Sequence, residues 1–165
     1  MELTAPSERD FARFDALYRD YPRPTDPQVV DCSVHLNRDR GLRGLLRPRL
    51  HLACDHELPG MAPIAPRLEL LALEMGMNLQ MAAGWRRQLV FHAGSAACGD
   101  CGIVLIGDSG AGKSTLAATL GLAPGWRFMG DEFALLTLDA QPHLLPYPRP
   151  ISLKNDAIAV MEALA

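Results

Sequence analysis

The residues best suited to chemistry are Lys113 and Ser114, inside the run Gly107-Asp108-Ser109-Gly110-Ala111-Gly112-Lys113-Ser114-Thr115. The spacing is G-x-x-x-x-G-K-[ST], a pattern whose chemistry is the holding of phosphate groups. Glycines let the backbone adopt φ values that other residues resist, so successive N–H groups converge on phosphate oxygens. The lysine reaches the β/γ-phosphates, and the hydroxyl after it is placed to ligate Mg²⁺. The expected cofactors are therefore ATP and Mg²⁺, with residues Gly107 to Thr115 as the phosphate cradle. Such a loop works only between a strand and a helix. Ile103-Val104-Leu105-Ile106 predicts the buried strand. A helix from about Lys113 to Leu120 follows, stopped by Gly121, and its positive end adds to the anion field.

A second group of candidates follows. Asp131 and Glu132 begin 18 residues beyond Lys113, an interval filled by that helix, a turn and a short strand over Trp126 to Met129. A β–α–β connection brings their strand close to the strand before the loop, and ligands collect at strand C-terminal ends. One carboxylate would direct Mg²⁺ and the other act as general base on a substrate hydroxyl; the bland reading is a solvated turn. His92 ends a strand predicted over Gln88 to Ala93, as either a hydrogen-bonded structural residue or a catalytic one. Arg149, Lys154 and Asn155 lie in PRPISLKN, read equally as an exposed loop or as cations offered to a phosphate. Cys98-Gly99-Asp100-Cys101 has metal-knuckle spacing, but a closed zinc site needs two further ligands. Cys32 and Cys54 are isolated, so the favoured reading is a tight hairpin turn.

Composition bounds the rest. The 165 residues are 48% hydrophobic and 21% charged, enough to bury a core. A formal charge of −3 argues against nucleic acid as a partner. Only Lys113 and Lys154 are lysines among 16 basic residues, which singles out the loop lysine. No apolar stretch is long enough to span a bilayer, and the N-terminus lacks a secretory layout. Four cysteines are too few for a disulfide scaffold. The expectation is a cytoplasmic protein without membrane or nucleic-acid partners, a homo-oligomer being left open.

The supporting elements are predicted as follows. A helix runs from Ser7 to Tyr18, capped by Ser7 with Asp10, and ends in the proline run from Pro22 to Pro27. Strands over Val29 to Leu36 and Arg47 to His56, joined through a turn at Asn37 to Gly41, form an antiparallel layer; this defines an N-terminal domain, 1–60. Residues 61–165 form the core domain. It starts with a connector (Pro59 to Pro66) and a helix over Arg67 to Ala83, in which Leu68, Leu71, Leu73, Met75, Leu79 and Met81 suit burial over much of the surface and Gly76 is a slight weakness. It ends with a strand over Phe133 to Leu138, an extended stretch Leu144 to Pro150, and a helix from Asp156 to Leu164 capped by Ser152 or Asn155. The fold class is α/β: a mixed sheet around the loop, with the N-terminal layer packed on it.

With these residues in place, the chain resembles the HPr kinase/phosphorylase superfamily, whose core is shared with phosphoenolpyruvate carboxykinase, and most of all its HPr kinase-related branch. The resemblance rests on VFHAG (Val90 to Gly94), LIGDSGAGKSTLA (Leu105 to Ala117), FMGDE (Phe128 to Glu132) and PYPRPISLKN (Pro146 to Asn155), and covers roughly residues 65–158. It implies that Lys113 and Ser114 bind nucleotide and Mg²⁺, that Asp131 is the base, that Glu132 is the metal-associated acid, and that His92 is an active-site histidine. HPr kinases carry two aspartates where this chain has Asp131-Glu132. Family members also continue further, with a C-terminal region carrying arginine, so the chain is expected to be C-terminally truncated. The implied function is an ATP-dependent phosphotransferase acting on a hydroxyl, serine foremost, of a protein or small molecule. The alternatives are a nucleotide-binding regulatory module without transfer, or a P-loop ATPase.

Overall fold

Small residues decide where helices cross sheets throughout this chain. The computed structural model describes residues 1–6, 8–19, 21, 25–26, 29–56, 62–147, 149–153 and 156–164. It divides into two compact units, Met1–Trp85 and Arg86–Ala165. The division falls later than the expected boundary at residue 60, because the long helix that precedes it packs on strands of the first unit. The class is mixed α/β: among the described residues there are three three-stranded sheets and several helices.

The first unit contains β1 (Glu2–Thr4), α1 (Glu8–Leu17), β2 (Ser33–Arg38), α2 (Gly41–Leu46), β3 (Leu50–Cys54), a 3₁₀ turn (Pro66–Leu68) and α3 (Glu69–Gly84). β2 and β3 are antiparallel, with Leu36 opposite Leu52, and β1 adds in parallel on the other side of β2. Alternation places Val34, Leu36, Leu50 and Cys54 in the core, where Phe14 of α1 and Tyr18 just beyond it stack at 4.2 Å between ring centroids. Three expectations change. Val29 and Val30 are exposed and lie outside β2, Asn37 and Arg38 extend that strand, and Gly41 opens a helix where a turn was expected. β1 has only three residues, too few for alternation to register. The expected cap Ser7, prolines 22, 24 and 27, and connector residues 57–61 lie outside the described residues.

α3 buries Ala72, Leu73, Gly76, Met77, Gln80 and Met81, a stripe at helical spacing. Leu71 and Met75, expected inward, are half exposed. Gly76 is the crossing point: a Cβ there would sit 2.5 Å from Val34 Cγ1 and 3.1 Å from Leu52 Cδ1. The residue that lowers helix propensity is thus the one that lets the helix approach the sheet. Gln80 is buried yet satisfied, accepting from the His56 N–H and donating to the His56 carbonyl, each at 3.0 Å.

The second unit contains β4 (Gln88–Phe91), β5 (Gly94–Cys98), β6 (Cys101–Leu105), α4 (Lys113–Leu122), β7 (Trp126–Gly130), β8 (Ala134–Thr137), β9 (Leu144–Leu145) and α5 (Asp156–Leu164). Among the described residues, the expected single mixed sheet is replaced by two, ordered β4-β8-β9 and β6-β5-β7, with neighbouring strands antiparallel. The chain leaves one sheet for the other at His92-Ala93, so β4 ends before His92. β5 is the central strand of its sheet, paired with β6 on one side and β7 on the other, and its Gly94, Ser95, Ala96 and Ala97 are all buried. β6 and β7 therefore run in the same direction with β5 between them, joined across it by α4. The β5–β6 hairpin pairs Cys98 with Cys101 around Gly99 (φ 55°), as the turn chemistry requires.

α4 rests on β5 and β7 through glycines. A Cβ on Gly94 would lie 3.2 Å from the Lys113 carbonyl oxygen, and one on Gly121 would lie 2.9 Å from Phe128 Cβ. Gly121 therefore stays inside the helix. The helix stops instead at Ala123, whose extended backbone suits the residue before Pro124. Among the described residues, no helix is long and apolar enough to cross a membrane.

Candidate functional site

The loop between β6 and α4 gets its shape from backbone conformation. Gly110 and Gly112 have φ of 84° and 85°, and an added Cβ at either would meet open space. Left-handed backbone, rather than crowding, is what calls for glycine there. The Ala111 N–H closes a turn on the Asp108 carbonyl at 3.2 Å, and the Gly112 carbonyl accepts the Leu116 N–H at 2.9 Å to start α4. Lys113 folds back over this loop, its Nζ donating to the carbonyls of Gly107 (2.7 Å) and Asp108 (2.9 Å). The first N–H groups of α4 have no partners within the helix, as at every helix start.

A second turn, Gly130-Asp131-Glu132-Phe133, joins β7 to β8. Gly130 is tightly held: a Cβ would lie 2.5 Å from the Phe133 carbonyl oxygen. The fully buried Ser95 hydroxyl also faces the Gly130 carbonyl at 3.5 Å. Asp131 is buried, and its Oδ2 accepts the Ser152 N–H at 2.8 Å. Glu132 is half-buried: Oε2 accepts from Arg149 Nη1 at 3.1 Å, and Oε1 lies 3.9 Å from His92 Nδ1. His92 itself is largely exposed.

The segment after β9 straps this turn in place. The Tyr147 N–H donates to the Met129 carbonyl at 2.7 Å, and the Arg149 N–H to the Tyr147 carbonyl at 2.8 Å. Phe133 meets Tyr147 edge-on at 5.4 Å and His92 edge-on at 6.4 Å. The strap thus reaches both acids, one through a side chain and one through a backbone N–H.

These parts enclose a cavity of about 600 Å³. Ser109, Gly110 and Gly112 to Thr115 form one wall, and Asp131, Glu132, His92 and Ser152 supply the rest of its polar lining. Gly107, Asp108 and Ala111 are not on its wall; the first two instead meet Lys113 through their carbonyls. Arg149 is no exposed loop cation: it is buried against Glu132. Lys154 and Asn155 lie outside the described residues. Ser152, one of the two residues expected to cap α5, gives its backbone N–H to Asp131.

Arg149 and Tyr147 as supports of the acid turn were missed from sequence. The signal was there: in a proline-spaced extended stretch, residues two apart share a face, and both of these are buried.

The chemistry available is an anion cradle with a cation beside two fixed carboxylates and an accessible imidazole. Among the described residues, no group of three or more His, Cys, Asp and Glu could hold a metal ion. Compared with known proteins, the chain matches no family model, no curated protein and no solved structure.

Proposed function

We propose that the second unit is an ATP-dependent phosphotransferase of the HPr kinase-related type. Its P-loop would lie at Gly107 to Ser114 in a phosphoenolpyruvate carboxykinase-like core, and the acceptor would be a hydroxyl, serine foremost, on a protein or small molecule. One observation carries the reading: Lys113, Ser114, Asp131, Glu132 and His92 come from separate stretches of chain and line a single cavity. A solvated turn would not bury Asp131 beside that loop.

The residues suit the nucleotide. Gly110 and Gly112 leave open space where side chains would intrude, and the Lys113 amine already sits against oxygen acceptors. Loop N–H groups and Lys113 would hold the phosphates. Ser114 and Glu132 would hold Mg²⁺, which completes its shell with water and phosphate oxygens and so needs few protein carboxylates. Bound Mg²⁺-ATP supplies the phosphoryl group. Ser152 holds Asp131 by Oδ2, leaving Oδ1 to take the proton of the acceptor hydroxyl. Arg149 fixes Glu132 by Oε2 and leaves Oε1 for the cation.

Calorimetric titration with Mg²⁺-ATP tests the reading. Lys113→Ala is expected to lower affinity by roughly two orders of magnitude, since it removes a charge-assisted contact to phosphate. Unchanged affinity would refute it. With labelled ATP and cell extract, Asp131→Asn should keep nucleotide binding and lose acceptor labelling. Nucleotide binding with no labelled acceptor would favour a regulatory module instead.

A further inference from the structure

The β2–β3 pair of the first unit carries a feature that phosphate chemistry leaves unused. α2 is six residues long, and Leu42, Leu45 and Leu46 fall at i, i+3 and i+4, on one face. All three are bare, at 79%, 80% and 79% exposure. That presentation is built into the backbone. Gly44 sits on the other side of the helix, where a Cβ would fall on the Asp39 carbonyl, so the helix is seated on its glycine. Beneath it the neck is latched: the Asp39 N–H donates to the Arg49 carbonyl at 3.1 Å, and His51 Nε2 meets Asp39 Oδ1 at 2.7 Å. The leucines are held outward.

The charge around them has one sign. Arg38, Arg40, Arg47 and Arg49 flank the helix on both sides in the chain against Asp39 alone, in a protein whose formal charge is −3. Arg40, Arg47 and Arg49 are exposed, and the one acid is engaged by His51.

We propose that this leucine tip docks the chain on an anionic lipid bilayer. A bilayer of acidic lipids is anionic at its surface and apolar beneath, which complements exposed leucines flanked by exposed arginines. The leucines enter the interface, while guanidinium groups pair with lipid phosphates. A protein partner would have to supply a hollow with an acidic rim instead. The lack of a spanning helix does not bear on this, because lying on a membrane and crossing one are different structures. It revises the expectation of no membrane partner, which rested on spanning and secretory signals. Three leucines make a modest anchor, so binding is reversible and sensitive to salt.

The test is flotation of the whole chain with phosphatidylcholine vesicles, with and without phosphatidylglycerol. The chain is expected to float with the anionic vesicles only, and to be released by salt. Leu42→Ser, Leu45→Ser and Leu46→Ser together should lower partitioning about tenfold or more. Arg40→Gln, Arg47→Gln and Arg49→Gln together should do the same. These positions are exposed, so circular dichroism should remain native. Separately, Leu45→Trp should blue-shift its emission on anionic vesicles. Absence of flotation would overturn the proposal, as would undiminished flotation of the triple serine variant. So would equal affinity for polyglutamate, or a dimer that the serine variant dissolves, since the face would then belong to an acidic protein or a second copy. None of these outcomes depends on nucleotide binding by the second unit.

Discussion

Where the first unit buries apolar side chains (Phe14, Tyr18, Leu36, Leu50 and Leu73 among them), the second buries Phe133, Leu135, Tyr147 and several alanines and, beside them, Asp131 and Arg149. Among the described residues, the first unit's buried polar side chain is Gln80, a neutral amide whose bonds tie down neighbouring backbone. The second unit keeps ionisable groups out of water, which costs several kcal/mol per ion unless each is paired. That difference separates scaffold from site without appeal to any motif. An apolar core says only that the chain folds, whereas desolvated charges held beside a cavity mark where chemistry is placed. Both units share one device, a glycine where helix meets sheet: Gly76 on Val34 in the first, and in the second Gly94 under α4 and Gly121 within it against Phe128.

Each side of the comparison can be broken separately, because Trp85 lies in the first unit and Trp126 in the second. Trp126→Phe leaves an emission probe on one, and Trp85→Phe on the other. The largest effect is expected from Gly76→Leu. Overpacking against Val34 and Leu52 outweighs the gain of about 1 kcal/mol in helix propensity, for a net loss of about 2 kcal/mol. Urea unfolding seen at Trp85 should shift while Mg²⁺-ATP affinity stays unchanged. Equal shifts at both tryptophans would show that the units do not unfold separately, and the contrast would fail. Next comes Arg149→Met, which leaves Glu132 without its guanidinium partner. Glu132 is about a third exposed, so the loss is discounted to about 1–2 kcal/mol. It should appear at Trp126 together with weaker Mg²⁺-ATP binding. Arg149→Lys, which keeps charge but not the planar fork, should fall between.

The smallest effect is expected at Asp55. The Ser33 hydroxyl (2.7 Å) and backbone N–H (2.6 Å) both donate to its carboxylate and hold it below the usual carboxylate range. A lowered folded value means stability that is present above the unfolded value of about 4 and is lost as pH falls through the folded one. Wild type and Asp55→Ala should therefore differ most near neutrality and converge in acid. A gap that widened on acidification would contradict the assignment.

Much of this was legible in the sequence, for reasons that can be named. The β2–β3 pairing, α3, α4, the Cys98–Cys101 hairpin and α5 all follow from periodicity and glycine–proline punctuation within short windows. The convergence of His92, Lys113 and Asp131 on one cavity was anticipated because two of the connections are short. The division of the second unit into two sheets was not, since strand neighbours are chosen by burial across the whole unit and β5 advertises its central place only by small side chains. Gly76 misled for a similar reason: its effect on helix propensity is local, whereas its packing role belongs to Val34 and Leu52, more than twenty residues away. Arg149 was read equally as part of an exposed loop or as a cation offered to a phosphate, and the partner it has, Glu132, is 17 residues back along the chain.

The posture of Lys113 has a consequence for kinetics. Its amine rests on two backbone oxygens of its own loop, at 2.7 Å and 2.9 Å, which occupy the positive charge much as an anion would. If the loop holds phosphate as proposed, an arriving anion would meet a loop already curved around a cation and would take over by exchange of partners, with little reorganisation free energy. Such exchange gains less enthalpy than capture by a naked ammonium, but loses less entropy. Selectivity would then fall to the number of oxygens offered at once: a single weak anion would gain little over the resident carbonyls, whereas a polyanion would displace both together.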